Sequence, residues 1–211
     1  MSTTLASEHR QLRRDAAENR ELLLAAASRV FAEQGLGAGV EEIARGAGVG
    51  VGTLYRRFPN KDALIAELVQ DVLDRMSALA SEATAIPDGR GLEHYLEGSS
   101  AYQADHRGCL PRLWNTPVDN PALVQLRQKI AALLADAKRH GRVREEITAT
   151  DLTMISWSIR GVIETTRDVA PEVWRRHLAI LIAGLRPSQE PLHHKPLSRA
   201  QVDRVLQDRS G

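Results

Sequence analysis

Apolar residues in this chain return at steps of three and four almost wherever they occur, which is the period of a helix with one buried side. Leu23, Leu24, Ala27, Val30 and Phe31 set the pattern, and Gly35 stops it, so a first helix is predicted over about Arg20–Gln34. No segment alternates apolar and polar residues in the manner of a half-buried strand. Aromatic residues, which favour strands, make up only 4 % of the chain. The expectation is an all-α fold of about nine helices, with no internal repeat.

Glycine and proline mark the helix ends. Val40, Ile43 and Ala44 form the apolar side of a short second helix, Val40–Gly46, and Ala47-Gly48-Val49-Gly50 reads as a tight turn. A third helix, Val51–Phe58, carries Leu54 and Phe58 four residues apart, and Pro59-Asn60 ends it. Asn60 is the expected cap of a long fourth helix with Leu64, Ile65, Leu68, Val72, Met76 and Leu79 inside. Beyond Gly89 the reading gives helices over Leu92–Arg107, around Leu110–Asn115, from Pro121 behind an Asn120 cap to His140, over Thr150–Thr166 and over Pro171–Leu185. The segment after Arg186 is rich in Pro, His, Ser and charge and is expected to be loosely held, with a short amphipathic helix at Arg199–Leu206.

Three short helices, the last two joined by a glycine turn, make a helix-turn-helix arrangement. If Leu54 and Phe58 bury one side of the third helix, Val51, Gly52, Thr53, Tyr55, Arg56 and Arg57 are left facing outward. Charge supports the same surface. The whole chain carries a net charge of only +1, yet from Ile43 to Lys61 there is no acid, and Arg45, Arg56, Arg57 and Lys61 supply positive charge. A single helix fits the major groove, where each base pair shows its own donor and acceptor pattern. Arginine, lysine and the Tyr55 hydroxyl suit phosphate oxygens. Lys61 opens the fourth helix, whose free N–H groups also favour an anion. Arg13 and Arg14 fit either a minor-groove arm or a solvated leader. Glycine turns between short helices also occur in proteins that never meet DNA, so a helical adaptor acting through protein contacts is the competing reading. Salt-dependent retention on duplex DNA separates the two.

The runs Leu23-Leu24-Ala25-Ala26-Ala27, Phe31, Gly35 and Val40-Glu41-Glu42-Ile43-Ala44, followed by Ala47 to Leu64 (AGVGVGTLYRRFPNKDAL), resemble the tetracycline-repressor (TetR) family of regulators. The resemblance covers about Arg20–Leu64; the remainder is similar only in helix count and over Gly141–Leu152. It implies a flexible arm over 1–19, a DNA-binding domain over 20–64, a ligand-binding and dimerisation bundle over 65–186, and a loose tail over 187–211. It further implies a repressor acting on palindromic double-stranded operator DNA as a homodimer, released by a small-molecule inducer. Thr53, Tyr55 and Lys61 would be backbone contacts, and Val51, Thr53 and Arg56 would lie nearest base edges. Gly52 would sit where the duplex approaches the main chain, and Gly50 and Arg57 would belong to the same DNA-binding set. Two positions depart from the family pattern. Gly50 and Gly39 stand where side-chain caps are usual, which predicts a weakly capped recognition helix.

The last two main helices are the expected interface. Leu152, Ile155 and Ile159 form the stripe on one, and Trp174, Leu178, Leu181 and Leu185 the stripe on the other. The same stripes also suit plain core. Tyr102, His106, Trp114, Met154, Trp157 and Arg160 are the candidate pocket lining, an aromatic and polar set suited to an amphipathic ligand. Other classes fit poorly. His94, His106, Cys109 and His140 have no chelate spacing, so no metal is expected. No phosphate loop follows a strand and no nucleophile motif is present, so neither a cofactor nor catalysis is expected. With one cysteine, no apolar run of membrane length and no signal-like stretch in residues 1–19, a cytoplasmic protein without membrane association is expected.

Overall fold

A computed structural model describes residues 19–106, 116–117 and 119–208. These residues form nine helices and, among them, no strand: α1 (19–34), α2 (Val40–Gly46), α3 (Val51–Arg57), α4 (Lys61–Thr84), α5 (Gly91–Asp105), α6 (Pro121–Arg139), α7 (Ala149–Thr166), α8 (Val173–Gly184) and α9 (Arg199–Asp208). The described chain divides into two compact units. The first comprises residues 19–69 with His106, and the second the remaining described residues. Their division falls inside α4, a few residues beyond the boundary expected at Leu64. The helix expected at Leu110–Asn115, Cys109, Trp114, Arg13 and Arg14 lie outside the described residues.

In the first unit, Leu23, Ala27 and Phe31 of α1, Ile43 and Ala44 of α2, Leu54 and Phe58 around α3, and Leu64 and Leu68 of α4 are all buried. This is the predicted apolar set, and it forms one small core. Asn60 caps α4 as expected, its side chain accepting from the Ala63 N–H at 2.8 Å.

In the second unit, α5 packs against α6, α7 and α8, and α7 packs against α8. The Asn120 cap accepts from Ala122 N at 3.0 Å and Leu123 N at 3.1 Å, with Pro121 at the first helical position. Upstream of α7, Thr148 N donates to Asp151 Oδ2 at 2.7 Å, one half of a capping box.

The segment after Arg186 corrects the expectation of a loose tail. Arg144 donates to the Glu190 carbonyl, Leu192 N donates to Glu146 at 3.3 Å, and Thr150 Oγ1 donates to the Leu197 carbonyl at 2.7 Å. Helix α9 then buries Val202 and Leu206. Its Arg199 and Asp203 lie near Arg127 of α6, whose pKa is lowered first by burial and then by Arg199, with Asp203 opposing. The short amphipathic helix expected at Arg199–Leu206 is present, two residues longer at its end, with two apolar residues four positions apart on its buried side.

Candidate nucleic-acid interface

The geometry of the site begins with the end of α2. Gly48 takes φ +69°, Gly48 N donates to Arg45 O at 3.1 Å and Val49 N to Ala44 O at 3.0 Å. That paired closure is a Schellman motif, which needs the left-handed conformation that glycine adopts without strain. The turn sends the chain directly into α3, where Thr53 N and Leu54 N both donate to Gly50 O.

Leu54 is fully buried (0 % exposed) and Phe58 follows it inside. The other side of α3 is open. Gly50, Gly52, Arg56 and Arg57 are exposed, Val51 and Thr53 are half-buried, and Tyr55 is 46 % exposed despite its size. Among the described residues neither Arg56 nor Arg57 has an ion-pair partner. Among the described residues Arg45 pairs with Glu42, at 3.6 Å. The acid-free stretch is therefore a positively charged, outward-facing helix edge, which attracts phosphate. Neither Gly39 nor Gly50 provides a side-chain cap.

Among the described residues, nothing beside Gly52 requires a glycine there. A Cβ built there meets nothing within 4 Å, and its φ is not positive. Glycine in a helix is less favourable than alanine by up to about 1 kcal/mol, and the space beside Gly52 is open.

Lys61 stands apart from the other predicted contacts. It is half-buried, its Nζ donates to the Ala38 carbonyl at 2.7 Å, and it lies 5.6 Å from the centre of the Phe31 ring. Nothing in its spacing announced that partner, because Ala38 is 23 residues away in the chain.

The predicted dimer residues are mostly not available to a partner. Leu152, Ile155, Ile159, Trp174, Leu178 and Leu185 are buried inside the protomer, Trp174 to 1 % exposure; Leu181 alone is half-buried. Each of these helices carries two stripes, and the more apolar one closes the protomer core. The second stripe on α7 runs through Met154, Trp157, Gly161 and Thr165, at steps of three and four on the side turned from Ile155 and Ile159. On α8 the outward stripe holds Val173, Ile180, Ala183 and Gly184, with Ile180 58 % exposed. A Cβ at Gly161 or Gly184 meets nothing within 4 Å.

Of the predicted pocket residues, Tyr102, Met154, Trp157 and Arg160 are half-buried in the second unit, with Met154 and Trp157 on the outward stripe of α7; His106 is half-buried after α5. The buried face of α5 shows a feature the sequence reading missed. It starts with Leu92, Tyr95 and Leu96 and continues in register with Ser99, Ser100 and Gln103. Ser99 Oγ donates back to Leu96 O at 3.2 Å, while Gln103 Oε1 is buried with no hydrogen-bond partner among the described residues. Burial pushes the Tyr95 phenol well above its ordinary pKa, so this polar interior is uncharged at that position. The helical register of Leu92 and Leu96 was the signal that could have found Gln103.

A three-helix core that presents a short, basic, outward-facing helix, followed by an all-helical second unit, defines a helix-turn-helix DNA-binding regulator. Residues 23–68 match the model of bacterial regulatory proteins of the tetR family, and residues 87–187 match that of the C-terminal domain of SbtR-like transcriptional regulators. A TetR transcription regulatory protein from Mycobacterium vanbaalenii is 30 % identical with a TM-score of 0.62, covering 83 % of this chain and 99 % of its own. The TetR transcriptional regulator SCO0520 from Streptomyces coelicolor is 31 % identical with a TM-score of 0.62, covering 80 % and 99 % respectively. An HTH-type transcriptional regulator of Staphylococcus aureus (strain USA300) is 39 % identical over 64 residues, or 30 % of this chain and 35 % of that protein. The chain thus matches about a third of the length of the curated relatives, and does so over 64 residues. The chain belongs to the TetR family of transcriptional regulators. Among the described residues, no helix is long and apolar enough to cross a membrane.

Proposed function

We propose that this regulator is a cytoplasmic repressor that binds a palindromic operator as a homodimer and leaves it when a small molecule occupies the second unit. The observation that carries the reading is the open side of α3. Gly50, Val51, Gly52, Thr53, Tyr55, Arg56 and Arg57 share an acid-free surface held up by buried Leu54 and Phe58. In this reading Val51, Thr53 and Arg56 lie toward base edges, and Tyr55 and Arg57 bond phosphates. Gly52 lets the duplex approach the main chain.

One such helix reads too few base pairs for a specific site, so two copies bind half-sites about 34 Å apart. The surface proposed for pairing is the outward stripe of α7 and α8, around Gly161, Ile180 and Gly184. It replaces the buried stripe that the sequence suggested. The inducer is proposed to meet the polar half of the buried α5 face, where Gln103 Oε1 can accept from a neutral N–H or O–H donor. An unmet buried acceptor costs about 1–3 kcal/mol, so such a donor has an energetic reason to settle there. Release then follows if the ligand favours a conformation that holds the two recognition helices at the wrong spacing.

The test is a fluorescence anisotropy titration of a mixed-sequence duplex across salt concentrations. Counterion release predicts a steep linear fall of log affinity with log salt, and Arg57→Gln should reduce that slope by about 0.9 for each copy bound, about 1.8 for a dimer on two half-sites. Binding that ignores salt, or a slope untouched by Arg57→Gln and Arg56→Gln together, would contradict the assignment and favour a protein-contact adaptor.

A further inference from the structure

Three residues of the second unit are each more than nine-tenths buried, yet hold a side-chain atom that meets no hydrogen-bond partner among the described residues. They are Gln103 with Oε1 on α5, Trp174 with Nε1 on α8, and Thr116 with Oγ1 shortly before α6. Helix register brings them to one end of the bundle. Arg186 Nη2, just past α8, meets Glu93 Oε1 of α5 at 2.8 Å. A Cβ on Gly91 would stand 3.0 Å from Leu133 Cδ2 of α6, and one on Gly89 would stand 3.1 Å from Ala137 Cα, so α6 runs toward the start of α5. The start of α5, the last turns of α6 and the end of α8 therefore share one level. From there α5 runs from 91 to 103, α6 runs back from 133 to 121 and the α8 segment runs back from 186 to 174, about 18 Å in each case. Since α5 packs against both α6 and α8, Gln103, Trp174 and the entry to α6 behind Thr116 lie at the opposite end together.

The buried α5 face is uncharged there. It is formed by Gly91, Leu92, Tyr95, Leu96, Ser99, Ser100 and Gln103, and burial holds the Tyr95 phenol in its neutral form. Half-buried Arg160 of α7 already has a partner within the chain. Gln103 Oε1 can only accept, the Trp174 indole N–H can only donate, and the Thr116 hydroxyl can do either. We propose that this site takes an uncharged head group carrying a donor and an acceptor together, as in a carboxamide, with the donor on Gln103 Oε1 and the acceptor oxygen on Trp174 Nε1. The assignment rests on the reading that a small molecule occupies the second unit, and it narrows that ligand to one chemical class. A carboxylate would face the Gln103 oxygen and an ammonium the Trp174 N–H, and the α5 face has no opposite charge to offset burying either. Leu92 and Leu96, farther along the same face, suit an apolar body.

Three probes of nearly one shape test the class on the full chain by isothermal titration calorimetry. Benzamide offers N–H and C=O, acetophenone has a methyl group in place of the amide nitrogen, and benzoate is the anion. Benzamide should bind about tenfold tighter than acetophenone, the effect of one hydrogen bond to an otherwise unmet acceptor, and benzoate should bind weakest. In Gln103→Met, which keeps the length of the side chain but not its amide, the advantage of benzamide should vanish while the affinity for acetophenone holds. Without any probe, Gln103→Met should melt several degrees higher, because it removes a buried acceptor that has no partner. Equal binding of benzamide and acetophenone, or an advantage that survives in Gln103→Met, overturns the head-group assignment and leaves the second unit standing as a small-molecule site. Benzoate binding tightest overturns it in favour of an anion site. An unchanged or lower melting temperature in Gln103→Met shows an acceptor already met by buried water, and overturns it too. Failure of all three probes to bind overturns the head group and the small-molecule reading of these helices together.

Discussion

Replacing Gly52 with alanine should move stability and DNA affinity in opposite directions. The added Cβ meets nothing within 4 Å and the backbone there is already helical, so no strain offsets the gain. A compatible Gly→Ala change stabilises by about 0.4–1 kcal/mol, mainly by narrowing the unfolded ensemble. Position 52 is the second residue of α3, close to the helix start, which favours the lower end of that range. For a chain of this length the melting temperature should rise by roughly 1–3 °C. On DNA the same methyl adds about 1.5 Å to the surface where the main chain meets the duplex. A displacement of that size takes neighbouring hydrogen bonds from Thr53, Arg56 and Arg57 beyond their working distance. Losing even one charged bond, about 1.5–3 kcal/mol, lowers affinity about tenfold to a hundredfold. Thermal melts by circular dichroism and anisotropy with a labelled duplex provide the two readouts. A variant that is more stable and binds DNA as well as the parent refutes the close approach, and with it the placement of α3 on the duplex.

The other predictions address different parts of the molecule. Gly50→Ser has room for its side chain and supplies the missing cap, so it should stabilise α3 by a few tenths of a kcal/mol, seen as slower amide exchange over Val51–Arg57. Ile180→Glu should yield folded monomers by light scattering, because its side chain is outside the protomer core; persistence of a dimer at micromolar concentration removes α8's outward stripe from the interface. Trp174→Glu should instead unfold the second unit, since it places a charge where only 1 % of the residue is exposed. Val202→Ala should cost about 1–3 kcal/mol if α9 is part of the folded unit; an unchanged chemical denaturation midpoint would show that the helix adds nothing to stability.

Much of the first unit was legible because its signals are local. Gly35, Gly48, Asn60 and the spacing of Leu54 and Phe58 act within one turn of the residues they control, so punctuation and period placed the helices and the open side of α3. The misplaced residues share a different physics. A helix with two apolar or small stripes shows both in its sequence, and the letters of Trp174 and Ile180 do not say which side closes on the protomer. The larger stripe looked like a partner surface; it is core. After Arg186 the period of Val202 and Leu206 announced a short helix, but its anchoring depends on what these residues pack against.

By itself the sequence determined an all-helical chain with a basic, acid-free helix behind a glycine turn, since backbone conformation and charge follow from residue type and short spacing. Tertiary structure alone decided that Lys61 holds Ala38, that Gln103 Oε1 is buried without a hydrogen-bond partner among the described residues, and that the outward stripe of α8 is Ile180's rather than Trp174's. These depend on contacts between residues distant in the chain, and period does not encode which distant surface fills the space beside a side chain.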